Sequence, residues 1–89
     1  MRESYIEKKV CEYATQRGWR SMKLNGIHDR GKPDRMFFAP SGRVKFVEFK
    51  APGKRASALQ ERFINDLRGC GFDCYVIDSI ESGRDLFDQ

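Results

Sequence analysis

The chain has 89 residues, 39% of them hydrophobic, so we expect one domain over residues 1–89 with a thin core. Its net charge of +4 favours a polyanionic partner. No apolar run approaches the roughly 20 residues of a membrane span and no signal peptide is visible, so we expect a cytoplasmic protein without a membrane partner. Cys11, Cys70 and Cys74 form no disulfide framework, and zinc would need His28 from a distant segment, so we expect free thiols in a reducing compartment.

The first predicted element is an amphipathic helix over residues 3–17. Its apolar residues recur at steps of three and four, namely Ile6, Val10, Tyr13 and Ala14. Ser4 and Glu7 have the spacing of a capping box at its start. Glu7 also borders the apolar stripe, so it is either a helix-cap carboxylate or an acid that reaches a functional site beneath the helix. A first strand is expected over residues 19–24.

A polar loop follows over residues 25–32, with two glycines and the basic side chains His28, Arg30 and Lys32. It is either an ordinary mobile connection or a segment that grips phosphate. His28 is the single histidine of the chain, which invites a role as general base. A lone loop histidine is more often a surface residue or a phosphate contact, and both roles stay open.

The most informative stretch is Gly31–Lys50, a predicted hairpin. Its strand-like segments cover residues 36–39 and 44–50, and a Pro-Ser-Gly turn joins them. Alternation along the second segment places Glu48 and Lys50 on one face. If the turn is centred at Ser41, Asp34 lies opposite Glu48, because both are seven residues from the centre. Directly opposed side chains have Cβ atoms about 4.5–5.5 Å apart.

Two opposed carboxylates repel each other and weaken a sheet unless a cation lies between them. Oxygen ligands of this kind suit Mg²⁺ or Mn²⁺. Lys50, on the same face, could lower the pKa of the attacking water or stabilise the charge of a pentavalent phosphorane. The alternative is a surface ion pair of Glu48 with Lys50, but the apolar neighbours on this strand indicate burial. The hairpin therefore predicts a metal-dependent phosphodiesterase site.

The remaining elements complete an α/β pattern. Ser57 and Gln60 have capping-box spacing and start a helix that runs to about residue 68. Its apolar residues share one face, namely Leu59, Phe63, Leu67 and Cys70. A fourth, largely buried strand is expected over residues 72–77, and Ser79 caps a short final helix. This order predicts helices packed on a small mixed sheet.

Two short motifs carry a family resemblance. Pro33-Asp34 followed by Glu48-Phe49-Lys50 resembles the signature of the PD-(D/E)xK nuclease superfamily. The wider order of features is Gly31-x-Pro33-Asp34, a hairpin, Glu48-x-Lys50, then Ser57 and Gln60. This order is similar to that of the VRR-NUC (virus-type replication-repair nuclease) domain in its stand-alone phage and bacterial form. The resemblance implies a restriction-endonuclease-like αβββαβ core, with the small mixed sheet flanked by helices, and DNA cleavage that depends on Mg²⁺ or Mn²⁺.

The resemblance also implies roles for single residues. Asp34, Glu48 and the Phe49 carbonyl would be metal ligands, and Lys50 would be the catalytic lysine. Gln60 matches the glutamine of the family's following helix, and Glu7 matches the acidic residue of its first helix. The alternative for Gln60 is a structural partner of the Ser57 cap, and we expect one side chain to fill both roles only with difficulty.

For the stand-alone form, the resemblance implies a homodimer that resolves branched DNA such as a four-way (Holliday) junction, in a bacterial or phage-infected cell. Paired sites across a two-fold axis can cut two strands of a symmetric junction. Phosphate contacts are expected from basic side chains, namely His28, Lys32, Arg35, Lys54 and Arg55. Arg20, Arg43 and Lys45 either extend this surface or are solvated strand charges. Two alternatives are a nonspecific or flap-directed DNase and a non-catalytic DNA-binding module with a nuclease-like fold.

Overall fold

The computed structural model describes residues 1–24 and 31–88. In this part of the chain the helices are α1 (Glu3–Gln16), α2 (Ala58–Gly69) and α3 (Ile80–Asp85). The strands are β1 (Arg20–Lys23), β2 (Arg35–Ala39), β3 (Arg43–Phe49) and β4 (Asp73–Ile77). The predicted α/β order of elements is confirmed. None of these helices combines the length and the apolar composition that crossing a membrane requires.

The four strands form one mixed sheet in the order β1-β2-β3-β4. β1, β2 and β3 are antiparallel neighbours, whereas β4 runs parallel to β3 and is reached through α2. Between β2 and β3, Arg35 lies opposite Val47 and Ala39 lies opposite Arg43. This is the register that a turn centred at Ser41 predicts, so the sequence-based pairing of the hairpin is confirmed.

The main core lies between one face of the sheet and the pair α1 and α3. It joins buried side chains of α1, the sheet and the segment after α3, namely Ile6, Val10, Ala14, Phe37, Val47, Phe49, Ile77, Leu86 and Phe87. The rings of Trp19 and Phe37 both pack on Phe87, with centroids 5.4 and 4.9 Å away. Because β3 alternates, this burial of Val47 and Phe49 turns Glu48 towards the opposite face, where α2 lies.

The predicted cap of the first helix is wrong. The helix begins two residues earlier than a Ser4 cap requires, because the backbone N–H groups of Tyr5 and Ile6 both donate to the Arg2 carbonyl. Arg2 is therefore the N-cap, and no side chain among the described residues caps this end. Ser4 lies inside the first turn, and Glu7 is available for contacts elsewhere.

The apolar face of α2 differs from the expected packing. Leu59 is 52% exposed and Phe63 36%, whereas Ile64 is the buried residue of this helix. The reason is that polar contacts pull a neighbouring line of residues inward. Gln60 bonds to a sheet carboxylate, and the Arg68 guanidinium donates to the Cys74 carbonyl at 3.0 and 2.7 Å. Residues 60, 64 and 68 therefore face the sheet, and Leu59 and Phe63 face outward.

The contact between α1 and α3 depends on Gly83. A Cβ atom at this position would overlap the Val10 Cγ2 methyl and lie 3.2 Å from Ile77 Cγ2. We expect Gly83→Ala to lower the free energy of unfolding in urea by about 1–3 kcal/mol, the usual cost of overpacking a core. Gly69→Ala is the control, because no described atom lies within 4 Å of its Cβ position and alanine favours the helix by up to about 1 kcal/mol. Equal stability of the two variants would contradict this packing.

Candidate active site

Asp34 lies at the end of the hairpin, opposite Glu48. It immediately precedes the pair formed by Arg35 and Val47, so the register continues to place it across from Glu48 on the α2 face. Its Oδ2 accepts a hydrogen bond from the Phe49 backbone N–H at 2.7 Å. Its carbonyl accepts one from the Leu24 N–H at 2.9 Å. The carboxylate is therefore held in place by the neighbouring strand.

Glu48 is the most deeply buried acid of the site, at 2% exposure. Its Oε2 accepts a hydrogen bond from Gln60 Nε2 at 2.6 Å and lies 3.4 Å from the Lys50 ammonium. Its Oε1 is buried and has no hydrogen-bond partner among the described residues. A buried carboxylate oxygen without a partner is expensive, and a cation is the ligand it suits best.

The electrostatics of both acids reflect this burial. The pKa of Glu48 is raised to about 7, mainly because burial desolvates the carboxylate, and the Asp34 charge adds to the rise while Lys50 opposes it. Desolvation also raises the pKa of Asp34, against the lowering effect of the Phe49 N–H, and the Glu7 charge adds to the rise. The Asp34 charge thus disfavours ionisation of Glu48, as a neighbouring acid does. A cation bound between them would reverse that effect.

Gln60 fills both of the roles that the sequence set against each other. The Ser57 backbone N–H donates to Gln60 Oε1 at 2.9 Å, and the Gln60 N–H donates to Ser57 Oγ at 3.2 Å, so the capping box is confirmed. The opposite end of the same amide, Nε2, reaches Glu48. The expected conflict is therefore wrong, because an amide has a separate acceptor and donor. The cap on Oε1 dictates that the NH₂ group faces the carboxylate.

Glu7 lies at the border of the site and is held by basic residues. Its Oε2 accepts a hydrogen bond from Arg35 Nε at 2.5 Å and is 4.0 Å from the Lys23 ammonium. Arg35 also donates through Nη1 to Ser21 Oγ at 3.2 Å. Because Arg35 lies opposite Val47, this network is on the core-facing side of the sheet, not on the Glu48 side. A phosphate contact by Arg35 would require this pair to open.

The residues present fit a small divalent cation. Within residues 1–24 and 31–88, no group of three His, Cys, Asp or Glu side chains is placed to share a metal. The site instead offers two opposed carboxylates, Asp34 and Glu48, with the Phe49 backbone at the end of β3 beside them. Mg²⁺ is commonly held by one or two carboxylates and completes its coordination with water. The unpartnered Glu48 Oε1 is the observation that favours such an ion.

The other predicted site residues are spread around this centre. His28 lies outside the described residues. Lys32 is half-buried. Lys54 and Arg55 are exposed and line a cleft of about 410 Å³ together with Arg68 and Asp78. The structure therefore brings Asp34, Glu48, Lys50 and Gln60 together, with Glu7 at the edge and the basic residues farther out.

Two residues support the site in ways that the sequence analysis missed. Ser57, predicted only as a helix cap, orients the Gln60 amide that bonds to Glu48. Gly31 packs against the first turn of α2, where a Cβ atom would come within 2.7 Å of the Leu59 carbonyl oxygen. Any larger residue would push α2 and Gln60 away from the hairpin. The glycine two residues before Pro33 was the available signal.

Comparison with known proteins agrees with this arrangement. The family model of the VRR-NUC domain matches residues 6–81. The chain is also 35% identical over 79 residues to "Putative nuclease p44" of Acyrthosiphon pisum secondary endosymbiont phage 1, covering 89% of this chain and 85% of that protein. The chain belongs to the VRR-NUC family. It is therefore a nuclease domain, as the sequence resemblance indicated.

Solved structures named as VRR-NUC domains share the fold. One superposes with a TM-score of 0.88 at 25% identity, covering 98% of this chain and 95% of the other. A second has a TM-score of 0.83 at 16% identity, covering 100% of this chain and 87% of the other, and at that identity it bears on the fold alone. The predicted fold class, a small mixed sheet flanked by helices in a VRR-NUC domain, is confirmed.

The buried Glu48 predicts a specific pH dependence of stability in the presence of a chelator. Its folded-state pKa of about 7 exceeds the ordinary 4.5, so the protonated side chain stabilises the fold. This stabilisation is fully present below pH 4.5 and is lost as the pH rises through 7. We expect the free energy of unfolding to fall by up to about 3 kcal/mol across this window.

Glu48→Gln is the matched variant, because it keeps the shape and can still accept the Gln60 hydrogen bond. Urea unfolding of both proteins at several pH values measures the difference. We expect the fall in unfolding free energy to be smaller in Glu48→Gln, because glutamine does not titrate. Some fall remains, since Asp34 still titrates in the same direction. Parallel pH profiles of the two proteins would show that Glu48 is not a strained anion.

Proposed function

We propose that this VRR-NUC domain is a divalent-metal-dependent endonuclease that hydrolyses DNA phosphodiesters. The observation that carries the proposal is the pair of opposed carboxylates, Asp34 and Glu48, with Lys50 on the same face and one Glu48 oxygen without a partner. Like charges placed together in a buried position weaken a fold unless they serve a ligand. Mg²⁺ or Mn²⁺ is the ligand that this oxygen set suits.

Each residue has a proposed role. Asp34, Glu48 and the Phe49 carbonyl would hold the ion, which when bound would supply positive charge near the scissile phosphate and lower the pKa of a nearby water. Lys50 directs its ammonium to the negative charge that develops on the phosphate during attack. Gln60 orients Glu48 through the hydrogen bond between them. Glu7, held by Arg35, tunes Asp34 through its charge.

We propose branched DNA, such as a four-way junction, as the substrate. The net charge of +4 and the exposed Lys54 and Arg55 support a DNA partner, because such residues contact phosphates without reading bases. The preference for a branch rests on the resemblance to the stand-alone VRR-NUC form. Lys32 and His28 stay predicted phosphate contacts. The phage relative fits action in the cytoplasm of a bacterial or phage-infected cell.

We further propose that the protein acts as a homodimer through the outward face of α2. Two large apolar side chains are exposed on this face, namely Leu59 and Phe63. Leu59 is next to Gln60, which bonds to Glu48, so this surface adjoins the site. A second copy would cover the apolar side chains and bring two sites together to cut two strands.

The alternatives differ in substrate or in chemistry. A nonspecific or flap-directed DNase would use the same residues and would cut an unbranched duplex or a flap as well as a junction. A non-catalytic DNA-binding module has no use for a buried Glu48 opposite a half-buried Asp34, each with a raised pKa. That cost favours an enzyme over a binding module.

Cleavage of labelled substrates tests the roles of Lys50 and Asp34. A four-way junction, a flap and a plain duplex are incubated with Mg²⁺, Mn²⁺ or chelator. We expect Lys50→Ala to lower cleavage by about 100-fold or more while keeping Mn²⁺ affinity, because it removes charge stabilisation only. We expect Asp34→Ala to lose both.

Lys9→Ala is the control, since Lys9 pairs with Glu12 on α1, away from the site. Absence of cleavage with every metal would reject the enzyme, and equal cutting of all three substrates would reject the junction preference. Unchanged Mn²⁺ affinity of Asp34→Ala in calorimetry would reject its role as a ligand.

The dimer is tested with Phe63→Asp. Sedimentation at micromolar concentration should show a dimer for the original protein and a monomer for this variant, because a buried charge opposes the apolar contact. Tyr5→Asp, which changes an exposed aromatic residue on α1, should stay dimeric. A clean 10.4 kDa species for the original protein would contradict the dimer and the paired cut.

A further inference from the structure

A second cleft lies at the opposite end of β3 from the active site. It has a volume of about 370 Å³, near the lower end of the roughly 300–1,000 Å³ range of ligand pockets. Its wall includes Trp19, Arg43, Lys45, Phe72 and Asp73, and we call it the Trp19 cleft. Since β3 spans Arg43–Phe49, the cleft is about 20 Å along the strand from Lys50.

Two cations converge on one indole ring in this cleft. The Arg43 guanidinium carbon lies 4.9 Å from the centroid of the Trp19 ring, and the Lys45 ammonium lies 5.8 Å from it. The Lys45 ammonium is also 5.3 Å from the centroid of the Tyr75 ring. Such contacts stabilise a cation, but they do not neutralise its charge.

Lys45 is not the solvated strand charge that the sequence allowed, because it is only 8% exposed. Among the described residues, neither Lys45 nor Arg43 has a carboxylate within ion-pair distance. Arg43 Nε donates only to the Pro40 carbonyl, at 3.3 Å. Asp73 is the register partner of Lys45 and lines the cleft, yet it forms no ion pair with it.

The cleft thus carries two positive side chains and one negative one. The stem of Lys45 is covered, but its ammonium is not among the fully buried polar atoms without a partner, so the charge reaches the cleft and can receive an anion from outside the chain. A guanidinium and an ammonium together match a phosphate group, which offers several oxygens to both. The exposed Phe72 adds apolar surface for the sugar or base attached to it.

We propose that the Trp19 cleft binds a phosphate group. The phosphate comes from one of two sources. The first is the DNA backbone away from the cut, and this source rests on the proposed function. The second is a free phosphate such as pyrophosphate. In the first case the cleft is an anchor for a part of the substrate about six nucleotides from the cut, at about 3.4 Å per nucleotide. In the second it is an anion site independent of cleavage.

Fluorescence gives a direct test, because Trp19 is the single tryptophan of the chain. Its emission is followed in chelator while a four-way junction, a plain duplex or sodium pyrophosphate is added. We expect a saturable change with at least one of them. A change with DNA alone assigns the DNA backbone as the source, and a change with pyrophosphate alone assigns a free phosphate.

Charge-removing variants then link the signal to the cleft. We expect Lys45→Met and Arg43→Gln each to weaken the response. When the ligand is DNA, each variant should also lower the salt dependence of binding by about one phosphate contact. Lys45→Arg should restore it. Lys9→Met is the matched control, since Lys9 also lies over an aromatic ring, that of Tyr5, but has Glu12 as partner. Arg43 is exposed, so Arg43→Gln keeps the test valid if Lys45→Met fails to fold.

The proposal is overturned if no ligand changes Trp19 emission, or if both cleft variants respond as the original protein does. Its failure is separable from that of the proposed nuclease. Junction cleavage with a silent Trp19 would reject the cleft alone. A Trp19 response in a protein that cuts no substrate would reject the nuclease alone.

Discussion

The repulsion between Asp34 and Glu48 is the constraint on which the rest of the site depends. The pairing of β2 with β3 places the two carboxylates opposite each other, and burial of Glu48 removes the water that would screen them. The chain opposes this cost with the Phe49 N–H on Asp34 and with Gln60 and Lys50 on Glu48. These contacts leave Glu48 Oε1 without a described partner, so a cation bound at this oxygen would offset the repulsion most directly.

The support of Glu48 also determines how α2 is rotated. Gln60 must face the sheet to reach Glu48, and Ser57 keeps its amide in the required orientation. Leu59 and Phe63 therefore face outward, although their spacing resembles that of a core stripe. The polar contact that prepares the site thus exposes the apolar surface beside it. Support of the site and the proposed dimer surface would then both follow from one helix orientation.

Features that depend on local chemistry could be predicted from the sequence. The hairpin register follows from its turn, and the Ser57 and Gln60 capping box follows from four residues of sequence. Features that depend on distant partners could not. The Glu7 and Arg35 pair joins α1 to β2, and Lys45 is covered by Trp19 and Tyr75, which are remote in sequence. The sequence around a charged strand residue does not show that aromatic rings will cover it. Exposure to solvent is therefore the simpler prediction for Lys45.

The coupling of cation binding to proton release tests the central claim most directly. Near pH 6.5, below the Glu48 pKa of about 7, most Glu48 side chains carry a proton that a bound cation must displace. Calorimetric titration with Mn²⁺ in two buffers of different ionisation enthalpy measures that proton. We predict release of most of one proton per ion, and none from this position in Glu48→Gln. Binding without proton release, or no binding, would contradict the account.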